Sequence, residues 1–387
     1  MPLDLDDLRR APDIEGPDLR AWDAADRLIL DESAAARVGI DPGQIVVIGD
    51  THGALALGAA ADSRDSAVGG AGGGAVRAVG GAIRAHQDAL LGERALIANA
   101  ERLGLAGRVT SHPLDGALVR DARIVLMRLP RALDQLRDTA ALIAAHAAPD
   151  VAVYAGRRVK HMALAMNDVL SERFDAIDVS HARQKSRVLI ARGPYDGHDP
   201  EPRRATHAGL VVCAYGGVFA GTSIDIGTRL LLENLPDRIA GARADAAIDL
   251  ACGSGVVAAA LARQHPDLRV YACDQSAAAV ASARATAEAN GVADRVRVER
   301  DDALSALPDA SASFITLNPP FHAGAAIHEG LGPRLFADAA RVLRPGGELW
   351  TVFNSPLQYR PALERLVGPT RQIARNPKFT VTASTRR

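Results

Sequence analysis

AAIDLACGSGVVAAALA, residues 246–262, is a short apolar run, a turn of small residues and an alanine-rich stretch. Ala246–Leu250 reads as a strand and Ala251–Gly255 as a tight turn. The residues from there to about Gln264 read as a helix. Small residues in such a turn let the backbone approach a ligand closely, and the N-terminus of the following helix offers free N–H groups. A second apolar run, Arg269–Cys273, ends at Asp274, nineteen residues beyond Gly255. An acid at that position can accept both hydroxyls of a ribose. Gly253–Ala258 also fits the G-x-G-x-x-A pattern of dinucleotide enzymes, so the turn alone does not choose the cofactor. The apolar run is broken by Asp249 and by Gly253-Ser254-Gly255, and it is too short to span a bilayer.

Working outward, strands are expected at Val296–Glu299, Phe314–Leu317 and Glu348–Phe353. Gln372–Arg375 and Thr380–Ala383 are expected as a closing antiparallel pair. Helices are expected over Ser276–Asn290, capped by Gly291, and over Pro333–Leu343. The first half alternates in the same way. Ile45–Ile48, Ile124–Met127, Val151–Tyr154 and Ser186–Ile190 read as strands, with a helix from Arg131 to about Ala147. Ser66–Gly74 reads as a glycine-rich loop. Gly193–Arg204, GPYDGHDPEPRR, reads as a linker, which places a domain boundary near Arg204, between 1–204 and 205–387. The stretches 46–60 and 248–262 share strand, turn and alanine-rich helix, and aligning Gly53 with Gly255 suggests a duplicated α/β domain. The fold class is therefore α/β, with two tandem Rossmann-like domains.

The 387 residues suit two domains. Net charge is −1, which argues against a generic nucleic-acid binder. The charge is uneven: the last 56 residues, from Gly332, hold ten basic side chains against three acidic ones. A local positive face can meet phosphates without a basic protein overall. Cys213, Cys252 and Cys273 form no CxxC pair, which fits a reduced, cytoplasmic compartment. The N-terminus MPLDLDDLRR lacks the apolar core of a signal peptide.

Asn318-Pro319-Pro320-Phe321 follows the strand expected over Phe314–Leu317. The two prolines fix φ and remove two N–H donors. The Pro319 carbonyl and the Asn318 amide can then converge on one small volume and hold a planar amino group, its lone pair aimed at a sulfonium methyl. Phe321 can stack on a planar base or amide. The catalytic candidates are therefore Asn318, Pro319, Pro320 and Phe321.

DLACGSG, CDQS, DDAL and NPPF, in this order, resemble class I methyltransferases acting on exocyclic or amide nitrogen. The segments 215–235, 318–324, 335–363 and 373–379 narrow the likeness to the bacterial ribosomal RNA guanine-N2 methyltransferases. In the first half, 128–136, 155–161 and 181–187 are similar more loosely. The resemblance implies a seven-stranded catalytic domain in the C-terminal half and a degenerate N-terminal copy that helps hold RNA. It also implies S-adenosylmethionine as cofactor, ribosomal RNA (16S or 23S) or a ribosomal subunit as partner, and neither metal nor membrane. Carried over by position, Asp249, Gly253 and Gly255 would lie along the methionine part of the cofactor, with Ala251 and Cys252 in the same loop. Asp274 would bind the ribose and Gln275 would flank the adenine. Asp302 with Ala303 would face the adenine amino group. Asp225, Gly227 and Thr228 would close the methionine end, Asn318 would border both substrates, and His322 would lie beside the base. Ala251 departs from the family's first loop glycine, but alanine is nearly as small.

The expected reaction is methyl transfer to guanine N2. The same Asn-Pro-Pro motif also serves adenine-N6 and glutamine-N5 methyltransferases, and an RNA-binding pseudoenzyme is the reading from another class. Gly49-Asp50-Thr51-His52-Gly53 also fits the start of a metallophosphoesterase site, but the later GNH segment that such a site needs is missing.

Overall fold

The computed structural model describes residues 3–68, 80–239, 247–320 and 324–387. The chain divides into two compact units, Met1–Glu201 and Pro202–Arg387. The first runs α1 (Ala24–Arg37), β1 (Ile45–Ile48), α2 (Ala54–Val68), β2 (Ile83–His86), α3 (Leu90–Arg102), β3 (Val109–Ser111), α4 (Gly116–Val119), β4 (Ile124–Arg128), α5 (Leu133–His146), β5 (Ala152–Arg158), α6 (Ala165–Ser171), β6 (Phe174–Val179) and β7 (Ser186–Pro194). The second runs β8 (Arg203–His207), β9 (Leu210–Ala214), α7 (Ile226–Leu232), β10 (Ala247–Leu250), α8 (Val256–Gln264), β11 (Val270–Asp274), α9 (Ala277–Ala289), β12 (Val296–Arg300), β13 (Ala312–Leu317), α10 (Gly324–Val342), β14 (Leu343–Asn354), α11 (Arg360–Leu366), β15 (Thr370–Arg375) and β16 (Phe379–Thr385).

Each unit is built on a seven-stranded sheet. The orders are β3-β2-β1-β4-β5-β7-β6 and β12-β11-β10-β13-β14-β16-β15, the same topology twice. Six strands of each sheet run in one direction, and the seventh, β7 or β16, runs antiparallel to the neighbour on either side of it near one edge. The central strands IVVI and AIDL are buried at every residue, as parallel strands covered on both faces must be. Apolar clusters fill both faces of each sheet, and Leu126 and Leu317 are fully buried. This is the tandem α/β architecture expected from the alternating pattern.

The structure differs from the sequence reading in several places. The expected linker 193–204 contains the end of β7 at Gly193-Pro194 and the start of β8 at Arg203-Arg204. The antiparallel hairpin β8–β9 was not among the expected strands: β8 was hidden by the proline and charge around it, while β9 is a short apolar run. β5 runs on to Arg158, beyond the apolar stretch, because it pairs with β7 along its length. The helix expected to start at Pro333 starts at Gly324. Pro333 therefore lies inside the helix and does not open it. Ser66–Val68 close α2 and are not loop, while 69–74 lie outside the described residues.

Candidate active site

The carboxyl ends of β10, β11, β12 and β13 lie side by side in one parallel run, and each carries a loop with a sequence-predicted residue. After β10 the backbone is left-handed at Ala251 (φ 58°), Gly253 (φ 53°) and Gly255 (φ 73°). The two glycines serve different ends. A Cβ on Gly253 would meet nothing within 4 Å, so this position faces open space. A Cβ on Gly255 would lie 2.7 Å from the Cβ of Ala283, so this glycine lets α8 start tight against α9.

Asp249 has no such open face. It is 3% exposed. One carboxylate oxygen accepts from the Ala258 amide at 3.0 Å, and the other accepts from the Thr316 hydroxyl at 3.2 Å. The carboxyl thus braces the turn from beneath. Burial raises its pKa to about 7. A carboxyl that holds its proton more tightly when folded lends stability that is complete below pH 3.8 and disappears as pH rises through about 7. Asp249→Asn, which keeps the shape without the titration, should gain on the wild type as pH rises through that window. Urea unfolding at about pH 5 and at about pH 8 would measure it. Parallel pH dependence of the two proteins would contradict this role.

Asp274 closes the loop from the next strand. Its carboxylate accepts from Gly253 N at 3.0 Å and from Ser276 N at 2.9 Å. Gln275 is half-buried, and its carbonyl accepts from Arg300 Nε at 3.2 Å. After β12, Asp301 anchors the loop by accepting from Ser305 Oγ at 2.6 Å and Ala306 N at 3.1 Å. Asp302 beside it receives the Arg334 guanidinium. Ala303 is left-handed (φ 55°), and its carbonyl accepts from the Cys273 thiol at 3.2 Å. Burial pushes the Cys252 and Cys273 thiols well up, so neither is an activated nucleophile. An open glycine face, an acid on the second strand and a polar loop on the third fit a nucleoside cofactor that carries an amino-acid tail.

Asn318 follows β13 directly. Its amide nitrogen donates to Thr228 Oγ1 at 2.8 Å and to Asp225 Oδ2 at 3.3 Å. The Thr228 hydroxyl donates to the same Asp225 carboxylate. Asp225 also caps α7, accepting from Gly227 N at 2.8 Å. A Cβ on Gly227 would sit 2.9 Å from the Phe379 ring, so glycine lets that helix approach β16. The side-chain oxygen of Asn318 is buried with no hydrogen-bond partner. Pro319 is buried and Pro320 exposed. Phe321 and His322 lie outside the described residues. A buried, unused acceptor beside a proline carbonyl suits a group that brings its own N–H protons. Sequence spacing did not reveal the link between Asn318 and the α7 cap, ninety residues away. The Asp-x-x-Thr capping signal was its only local trace. Nor did it reveal the Arg334–Asp302 pair.

The described residues of the first unit do not repeat this arrangement. Asp50, beside the equivalent turn, is buried and accepts from Gly53 N at 3.1 Å and Ala56 N at 2.9 Å. His52 is buried against Asp13 at 3.0 Å and the Ala21 carbonyl at 3.3 Å. The strand registers pair Ile48 with His86 and Leu250 with Cys273, so Gln87 stands where the second unit has Asp274. Among the described residues no group of three or more His, Cys, Asp or Glu could hold a metal. Among them, too, no helix is long and apolar enough to cross a membrane.

A family described as the methyltransferase small domain matches residues 209–383, and one described as the RLMG N-terminal domain matches residues 3–194. A protein of Shewanella amazonensis named ribosomal RNA large subunit methyltransferase G is 32% identical over 386 residues, covering 98% of this chain and 96% of its own. The Streptomyces coelicolor protein of the same name is 32% identical over 390 residues, with 97% and 96% covered. Among solved structures, a T. thermophilus 16S rRNA N2 methyltransferase in complex with AdoMet and guanosine matches with a TM-score of 0.69 at 20% identity, covering 97% of both chains.

Proposed function

The chain belongs to the ribosomal RNA large subunit methyltransferase G family, and from this we propose that it moves a methyl group from S-adenosylmethionine to the exocyclic N2 of a guanine in large-subunit ribosomal RNA. The observation that carries the reading is the buried, unpartnered Asn318 oxygen, one strand away from the open Gly253 turn. S-adenosylmethionine supplies an electrophilic methyl on a sulfonium. The chain's own residues do the rest. Asp274 and the 251–255 turn hold the cofactor, with Gln275, Asp302 and Ala303 around its base. The Asn318 oxygen and the Pro319 carbonyl accept the two amino protons, which aims the nitrogen lone pair at the methyl. The nitrogen then gives up one proton to water. Orientation of this kind supplies most of the acceleration, with no metal and no covalent intermediate. The base must leave its helix to present the N2 edge. Incubating the protein with labelled S-adenosylmethionine and unmodified 23S ribosomal RNA should yield N2-methylguanosine and no N6-methyladenosine. The reverse would assign the acceptor to adenine.

Residues 205–387 form the catalytic domain in this reading, and 1–204 hold RNA in the cytoplasm where ribosomes are built. Support for RNA holding comes from one surface of the first unit. Burial and the nearby cations Arg157, Lys160, Arg131 and Arg158 depress the His161 imidazole below its usual range. None of those four cations forms an ion pair among the described residues, whereas Arg183 is held by Asp31 at 2.8 Å. Leu164, 85% exposed, lies just beyond them. Neutralising Arg157, Arg158 and Lys160 together should weaken RNA binding and flatten its salt dependence by roughly 0.7 per lost single-strand phosphate contact, leaving cofactor affinity unchanged. An unchanged salt slope would remove RNA from this surface.

A further inference from the structure

We propose that the N-terminal cap of α7 is a positioning socket: Asp225 and Thr228 grip the donor end of the Asn318 amide and so fix its oxygen toward the acceptor. The inference rests on the methyl-transfer reading and adds positioning residues to it. The hydrogen bonds leave one self-consistent arrangement. Asp225 can only accept. The Thr228 hydroxyl spends its single proton on Asp225, so toward Asn318 it can only accept as well. The side of Asn318 that faces them must be its NH2, at 2.8 and 3.3 Å. A flipped amide would set its oxygen against a carboxylate and an occupied hydroxyl, and would turn its N–H groups toward the place where an amino group must dock.

The first unit shows the same socket holding a different residue. Ile48 pairs with Met127 on the fourth strand as Leu250 pairs with Leu317, so Arg128 stands where Asn318 stands. Asp23 caps α1 as Asp225 caps α7, and Asp26 and Thr228 are each three residues further on. Arg128 Nη1 donates to both oxygens of Asp26 at 2.8 and 2.7 Å, and its Nη2 donates to Asp23 at 2.9 Å. In both copies a helix cap receives the donor end of the residue that leaves the fourth strand. A guanidinium has no acceptor to show on its other side, whereas an amide does. The duplication thus separates the socket, present twice, from the acceptor oxygen, present in the second unit alone.

Thr228→Val keeps the shape and the Asp225 cap but removes the hydroxyl. Its kcat on ribosomal RNA should fall on the order of tenfold or more, with S-adenosylmethionine affinity, read by calorimetry, unchanged. Thr228→Ser should restore kcat to near the wild-type value. A Val variant that loses cofactor affinity and keeps kcat would make Thr228 a cofactor ligand and overturn the socket, as would unchanged kcat. The Ser variant carries the test should the Val variant fail to fold, because a severe loss of its kcat would also overturn the proposal. Asn318→Ala measured alongside separates the two levels: an active Asn318→Ala sinks the methyl-transfer site itself, while an inactive one beside an active Thr228→Val sinks the socket alone.

Discussion

Asn318→Ala is expected to bind S-adenosylmethionine with nearly wild-type affinity and to transfer methyl on the order of 10²-fold more slowly or worse. The split follows from where the amide points. Its nitrogen is spent on Thr228 and Asp225, and its oxygen is buried without a partner. The amide nitrogen is thus committed to the α7 cap, while the cofactor is proposed to lie along the 251–255 turn. Truncation removes the acceptor that orients the amino group as the lone pair engages, an interaction that matters most in the transition state. It also leaves Thr228 without its donor, but Thr228 and Asp225 keep their own bond and the helix cap survives. Single-turnover kinetics with calorimetry would read both quantities. Wild-type turnover would remove Asn318 from the site.

Asp274→Ala is expected to do the reverse. Two charge-assisted bonds to a ribose are each worth about 1.5–3 kcal/mol at most, so affinity should fall roughly tenfold or more. The structure adds a second reason. The carboxylate also receives the Gly253 and Ser276 amides, so its loss frees the one glycine of the turn that faces open space. Asp274→Asn should recover part of the affinity, because an amide oxygen can still accept from one of those N–H groups. Unchanged affinity in Asp274→Ala would move the ribose site elsewhere.

The two motifs that decide this reading were legible because their geometry is local. A left-handed turn needs glycine or a small residue within five positions, and two prolines stiffen the chain wherever they stand. The tandem sheets were legible because buried parallel strands are continuous apolar runs. Polar strands were not. β6, with its exposed Asp175 and Asp178, and β8, with the sequence RRATH, are held by pairing with neighbours and carry little apolar signal. Asp249 shows a subtler limit. Its place in the motif suggested a position along the cofactor; its carboxyl also bonds to the Ala258 amide and, on a neighbouring strand, to Thr316, a partner that spacing does not encode. The α7 cap met Asn318 only through tertiary folding, which no spacing rule encodes.

The central claim is that this chain methylates a guanine of large-subunit ribosomal RNA at N2. Mass-spectrometric mapping of ribosomal RNA from a strain lacking the gene tests it most directly. One large-subunit guanine should lose its N2-methyl and regain it when the wild-type gene, but not the Asn318→Ala form, is returned. Ribosomal RNA with every N2-methylguanine intact would contradict the account.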